Sequence, residues 1–243
     1  MDKRDQPAFE LQERFWNEWN AKNREVVVGP ISQRQAAKIL GWIAAIGRSD
    51  LVILDVGCGS GWMCERLLPF GSVTGTDLAG EVIDRARRRV VGAKFVAGDF
   101  MALDFPPAYA DVIVTLEVLT HVADQPAFVS KLANALKPGG LLMLATQNRF
   151  VLERSSEVAP QAPGQIRHWV DRRELRNLLA ADFDIVELSS VFPNWGHEGI
   201  LRVVNSPKLN ALCANVVPRA TLDALKERLL LGHTLMALAR RRS

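Results

Sequence analysis

Several residues of this 243-residue chain are spaced so that they could do chemistry. Three glycines, Gly57, Gly59 and Gly61, follow directly behind an acid, Asp55. Glycines accept positive φ and carry no Cβ, so a backbone built this way can pass close to a ligand. Two more acids follow, Asp77 about twenty residues past Asp55, and then Asp99. In nucleotide-binding α/β sheets an acid at the first of those intervals accepts hydrogen bonds from both ribose hydroxyls. The fourth ingredient is imidazole, which can take a proton near neutral pH. His121 leads as a general base because it lies just past a predicted buried strand, on the cleft side. His168 and His197 follow, and His233 is assigned to a strand. Each histidine also has a plainer reading as a packed or surface residue.

The elements that must position these groups alternate between two periods. Leu51 to Asp55 is an apolar, β-branched run ending in the acid, and the glycines stand where that strand turns into a helix beginning WMCERLL. Ser72 to Thr76 reads as a second strand ending in Asp77. Gly80 to Arg89 follows as a helix, and Lys94 to Ala97 as a third strand before Asp99 and Phe100. Asp111 to Leu116 is a fourth, read as buried, followed by Glu117 and, four residues later, His121. Helix Pro126 to Leu136 ends at the turn Lys137-Pro138-Gly139-Gly140, which launches a strand from Leu141 to Thr146. Asp171 begins a further helix, Phe183 to Phe192 is a sixth strand, and Gly232 to Ala239 is the last, antiparallel and at the edge. Two helices precede everything else, from Ala8 to Ala21 and from Ser32, as N-cap, to Ile46. The stripe Leu11, Phe15, Trp16 and Trp19 on the first is read as packing on a core in preference to forming a ligand box.

Two readings of the glycine loop compete. The dinucleotide pattern G-x-G-x-x-G places its third glycine one position later than Gly61 does. The run Asp55-Val56-Gly57-Cys58-Gly59-Ser60-Gly61 instead resembles motif I of the class I S-adenosylmethionine (SAM) dependent methyltransferases. An acid is tolerable beside a cationic sulfonium and ammonium, where a pyrophosphate would be repelled. The segments E-V-L-T-H-V after the fourth strand and L-K-P-G-G before the fifth are similar to the ubiquinone-type and sugar-modifying enzymes of that family. The resemblance covers Leu51 to Thr146 firmly, and H-W-V-D-R-R-E-L from His168 extends it more thinly. It implies cofactor contacts at Arg34, Asp55, Gly57, Cys58, Gly59, Gly61, Asp77, Leu78, Asp99, Phe100, Leu116 and Glu117, and no metal. Within that set Arg34 would meet the SAM carboxylate, Asp77 the ribose and Asp99 the adenine amino group, with Phe100 packed on the ring.

Composition narrows the function classes. A chain that is 48% hydrophobic with net charge +3 can bury one large core and shows no basic stripe of the kind nucleic-acid binding uses. The arginine runs 85–89 and 240–242 are read as solvated faces. Cys58, Cys64 and Cys213 have neither a paired framework nor C-x-x-C spacing, which points to a reducing, cytoplasmic setting. The opening MDKRDQPAFELQERF has no apolar core region, so no signal peptide or transmembrane span is expected. The fourth strand is followed by neither an N-P-P-aromatic loop nor a nucleophilic cysteine, which argues against nucleobase methylation.

The expectation is one α/β domain over 1–243. It has a seven-stranded, mostly parallel Rossmann-like sheet with helices on both faces, an N-terminal helical cap (1–48), a SAM-binding core (51–146) and a late insertion or lid (193–231) before the last strand. The resemblance implies methyl transfer from SAM to a small-molecule acceptor, foremost a hydroxyl of a sugar, phenol or related metabolite. N-methylation of an amine, RNA methylation, a NAD-dependent reductase and a non-catalytic SAM-binding regulator are the alternatives. No nucleic-acid partner is expected, and a homodimer is left open.

Overall fold

The computed structural model describes residues 7–23, 28–193, 195–214 and 217–243. Residues 1–6, on which the reading of the chain's opening partly rests, lie outside these. Helix α1 (Phe9–Asn23) and helix α2 (Pro30–Ala44) come first. Then β1 (Leu51–Val56), α3 (Trp62–Leu67), β2 (Gly71–Asp77), α4 (Gly80–Arg89) and β3 (Lys94–Ala97) make the first half. The second half holds β4 (Ala110–Leu116), α5 (Gln125–Ala135), β5 (Leu136–Gln147), α6 (Arg149–Leu152), α7 (Arg172–Leu179) and β6 (Phe183–Val191). Helices α8 (Ile200–Val204), α9 (Pro207–Ala214) and α10 (Arg219–Arg228) precede β7 (Thr234–Arg241).

The strands form one seven-stranded sheet in the order β3-β2-β1-β4-β5-β7-β6. The pairs from β3 to β5 are parallel, and β7 runs antiparallel to both of its neighbours. Parallel strands buried on both faces need continuous apolar runs, and Leu51 to Val56 and Ala110 to Leu116 supply them. One face is covered by α2, α3 and α4 through Ile39, Ile43, Met63, Leu67 and Ile83. The other is covered by α5 and α7 through Phe128, Leu132, Leu175 and Leu179. Because the chain order reverses at β1 and β4, the ends of these strands leave a crevice where a ligand can lie.

Four expectations change. The last strand is not at the edge: β7 is inserted between β5 and β6. Burial explains this, since Thr234 to Ala237 is wholly buried, whereas β6 shows solvent-facing residues along half its length. Ser32 does not cap α2, whose N-cap is Gly29 with Pro30 opening its first turn, where the missing N–H costs nothing. The Lys137–Gly140 turn lies within the long β5, its irregular pairing concentrated opposite Ala110 and Val112. The insertion carries three helices where one was expected. The helix begun by Asp171 stands as read: its carboxylate accepts from Arg173 N and Glu174 N, and Glu174 answers to Asp171 N in a capping box.

Ile113, fully buried in the central β4, tests the packing. Ile113→Ala should lower unfolding free energy in urea by about 2–5 kcal/mol. A loss under about 1 kcal/mol would show that the α5 and α7 layer does not depend on this strand.

Candidate functional site

The glycine loop is held from both sides. Gly57 N and Cys58 N donate to Thr76 O at 2.7 and 3.0 Å, tying the turn to β2. Gly59 N donates to Asp77 Oδ2 at 2.8 Å, and Asp77 Oδ1 accepts from Ala79 N at 3.0 Å. A carboxylate offers about four lone-pair sites, so Asp77 retains capacity for two further donors. A Cβ at Gly57 would lie 2.1 Å from Val118 Cγ2, so only glycine fits there, with φ at +76°. Gly61 caps α3 and packs against Phe95; it shapes the turn and does not line the cleft.

Beyond the loop lies a cavity of about 960 Å³. Of the residues expected to hold a cofactor, Asp55, Gly57, Cys58, Gly59, Asp77, Leu78, Asp99, Phe100, Leu116 and Glu117 line it. Arg34 does not; its guanidinium pairs with Glu227 on α10. Asp99 caps its own turn through Met101 N at 2.9 Å while still facing the cavity. Asp55 is 2% exposed and accepts from Cys64 Sγ at 3.2 Å. Burial, with a smaller push from the neighbouring Asp77 charge, raises its carboxyl to about 7. Burial also raises the Cys58 thiol to about 11, so it stays protonated and acts as packing against Gly75.

Helix α1 roofs the cavity. Glu13 Oε1 accepts from Gly80 N at 3.3 Å, and buried Asn20 sits with Oδ1 3.0 Å from where a Gly59 Cβ would be. Of the stripe Leu11, Phe15, Trp16 and Trp19, read as core packing, Trp16 and Trp19 instead line the cavity, together with Phe9 from outside the stripe, while Leu11 and Phe15 do not. Trp16 meets the His121 ring edge-on at 4.5 Å. His121 also lines the cavity, and its Nδ1 lies 2.6 Å from Ile166 O, which as a carbonyl can only accept. Burial lowers its pKa to about 4, so it is neutral at physiological pH and does not titrate near neutrality. His168 and His197 lie outside the lining, with backbone amides bound to Thr120 O and Arg154 O.

His233 was misassigned by sequence reasoning. It stands one residue before β7, lines the cavity, and packs edge-on to Trp195 at 5.0 Å. Burial lowers its pKa to about 4 as well. The local signal was present in G-H-T, a turn glycine before a strand, but the insertion that brings Trp195 alongside cannot be read from spacing.

The chemistry of this lining fits SAM. Thr76 Oγ1 at the end of β2 lines the cavity and is buried with no hydrogen-bond partner, leaving polar capacity next to Asp77 in the chain for a nucleoside. Asp55, near neutral by burial, adds little repulsion to a second acid. Among the described residues no cluster of metal-ligating side chains occurs, and no helix is long and apolar enough to cross a membrane.

Comparison with known proteins agrees with this geometry. A family profile described as a methyltransferase domain matches residues 31–188. The chain is 31% identical over 159 residues to a ubiquinone biosynthesis O-methyltransferase of Sinorhizobium medicae, covering 59% of this chain and 64% of that one. A protein of the same name from Idiomarina loihiensis is 42% identical over 106 residues, 41% of this chain and 43% of that one. The chain therefore spans less than two thirds of the length of these curated relatives. Among solved structures, the N-methyltransferase NodS of Bradyrhizobium japonicum, in complex with S-adenosylhomocysteine, superposes with TM-score 0.66 at 16% identity, covering 96% of this chain and 99% of that one. A Haloferax volcanii methyltransferase bound to its Trm112 activator gives 0.67 at 20%, covering 94% and 98%. At such identities the structural likeness speaks for the fold.

Calorimetry with S-adenosylhomocysteine tests the cradle. Gly59→Val should weaken binding about 100-fold or more, roughly 3 kcal/mol, and Asp77→Ala by about 1.5–3 kcal/mol, with the folded domain retained. Binding unchanged in both would place the ligand elsewhere. Asp55 makes a separate prediction. Its folded pKa of about 7 exceeds the ordinary 3.8, so the native state binds more protons between those values and loses stability as pH rises. The stability gain of Asp55→Asn over wild type should therefore grow between pH 4 and 7 and then level, by at most about 4 kcal/mol. A gain independent of pH would mean that Asp55 is ordinarily acidic.

Proposed function

We propose, from the premise that this chain belongs to the methyltransferase-domain family and takes SAM as its cofactor, that it methylates a hydroxyl of a small aromatic acceptor. The observation that carries this reading is the run of aromatic rings in the cavity lining. Phe9, Trp16 and Trp19 come from α1, Phe192 directly follows β6, and Trp195 comes from the insertion. Flat rings offer stacking and edge contacts to another flat ring, whereas a sugar would call for a denser set of polar partners. This favours a phenol over the sugar acceptor also expected from sequence. The relatives bear the name O-methyltransferase, which supports oxygen as the receiving atom.

SAM supplies an electrophilic sulfonium methyl, and everything else is alignment, water exclusion and proton handling by the chain. The Gly57–Gly59 backbone admits close approach; Asp77 would take the ribose hydroxyls and Asp99 the adenine amino group, with Phe100 beside the ring. Leu116, the last residue of β4, and Glu117 after it line the same cavity, and Arg34 stays with Glu227 and out of the cradle. Helix α1 and the insertion exclude water, which raises the effective concentration of the correctly oriented acceptor. An oxygen acceptor must lose a proton, and an amine acceptor would need no strong base. All the residues used belong to one chain, so this reading requires no homodimer.

Labelled SAM with matched panels of phenols, sugars and amines discriminates these readings. Label should enter phenolic oxygen, and Trp195→Ala should raise KM for the phenol about tenfold or more with a smaller change in kcat. Transfer confined to amines, to sugars or to RNA would overturn the phenol assignment. Binding of SAM with transfer to no acceptor would favour a regulator.

A further inference from the structure

Four side chains at the mouth of β7 form a hydrogen-bonded chain with a defined direction. Glu117 Oε1 accepts from Thr234 Oγ1 at 2.9 Å and also from Gln35 Nε2. Gln35 Nε2 reaches Thr234 Oγ1 at 3.3 Å, and His233 Nδ1 lies 3.1 Å from the same oxygen. Thr234 and Gln35 are fully buried, and Glu117 and His233 are half-buried at the cavity wall. Thr234 Oγ1 donates to Glu117 Oε1, and a hydroxyl has a single hydrogen. Thr234 therefore gives its hydrogen to Glu117 and meets Gln35 and His233 with lone pairs. His233 must then be the donor to Thr234, which puts its proton on Nδ1 and leaves Nε2 with a lone pair. Nε2 makes no hydrogen bond to a described residue, and His233 lines the cavity.

Two more features mark this corner. Glu117 holds φ at +63°, a region that non-glycine residues seldom occupy. That conformation sets its carboxylate onto Thr234 and Gln35. Trp195, packed edge-on to His233, keeps its buried indole N–H without a partner. A hydroxyl, which both donates and accepts, suits a corner that holds one unused acceptor and one unused donor.

We propose that His233 is the group that receives the acceptor's proton, and that Thr234, Glu117 and Gln35 are positioning residues that fix its reactive tautomer. The inference rests on the oxygen-acceptor reading above. In the step, the acceptor O–H bond breaks with its proton going to His233 Nε2. The oxygen forms its bond to the methyl carbon, and the carbon–sulfur pair remains on sulfur. The resulting imidazolium, with Nδ1–H still on Thr234, is stabilised through that hydroxyl by Glu117 and later releases its proton to solvent. Burial keeps His233 neutral above about pH 4, so the base form is present at physiological pH. As the methyl moves, the oxygen's proton becomes strongly acidic, so even a weakly basic imidazole accepts it. Glu117 is the ionisable group joined to His233 through Thr234, and the other cavity-lining groups are His121, Asp55, Asp77, Asp99 and Asp124. His121 lacks such a relay, since its Nδ1 ends on the Ile166 carbonyl.

Ring-nitrogen NMR of histidine-labelled protein reads the tautomer without any substrate. Wild type at pH 7 should show His233 with its proton on Nδ1, assigned by loss of that signal in His233→Gln. Thr234→Val should mix the two tautomers, and Thr234→Ser should restore the first. With catechol as the probe acceptor and labelled SAM, single turnover should slow by about 10²–10⁴ in His233→Gln and by about tenfold in Thr234→Val. Affinity for S-adenosylhomocysteine should stay within about twofold of wild type. An Nε2–H tautomer in wild type would overturn the relay. So would wild-type turnover of catechol by His233→Gln, which would return the role to His121 or to proximity alone. Catechol left unmethylated by wild type would count against the acceptor reading, and the tautomer spectrum would still decide the relay.

Discussion

The hydrogen bond from Gly59 N to Asp77 Oδ2 is the constraint on which the binding half of the molecule depends. It joins the loop after β1 to the end of β2, and it exists only because the two strands run parallel in a register that pairs Val56 with Thr76. With that register set, Thr76 O receives Gly57 N and Cys58 N, and the three glycines take the left-handed conformations that the turn demands. Asp77 stands at the open end of the crevice with part of its accepting capacity already used. Burial raises the pKa values of both Asp77 and Asp55, and the two acids share one corner at that cost. Thr76 Oγ1, at the end of β2 in the cavity lining, is buried with no hydrogen-bond partner.

The His233 side of the cavity depends on a buried side-chain network. Gln35 from α2, Glu117 just after β4 and Thr234 from β7 are far apart in sequence and meet in it. Such a network is costly if any member lacks a partner, and so it fixes the relative placement of three elements. Around it the surface is aromatic, with Trp195 against His233 on one side and Trp16 against His121 on the other. Two neutral imidazoles thus sit in one apolar cavity, distinguished by what their Nδ1 atoms bind: a carbonyl for His121 and a relayed carboxylate for His233.

The two halves are joined by a roof made of parts outside the parallel core. Helix α1 reaches across to Gly80 and lies over Gly59, while α10 takes Arg34 into an ion pair with Glu227. Family resemblance assigned Arg34 to the cofactor. Its pairing with the insertion instead ties the second helix to the segment that walls the acceptor side.

Local rules were enough for much of this. The alternation of apolar strand runs with helical periods determined the parallel core. The spacing Asp55, Gly57, Gly59, Asp77, Asp99 determined its ligand corner, because each of those residues is set by the few neighbours that make its own turn. The capping box of Asp171 and Glu174 was legible for the same reason. What only the tertiary structure decided involves partners distant in sequence. β7 lies inside the sheet because its apolar run has to be covered on both faces, a comparison between strands that no single window contains. Trp16 and Trp19 were indistinguishable from core residues by periodicity, since a helix turns the same apolar stripe toward a core or a cavity. His233 became part of the site through Glu117, Gln35 and Trp195, residues that chain folding alone brings to it. Sequence carries the identity of an ionisable group, whereas its proton position depends on hydrogen bonds that exist only once distant segments have packed.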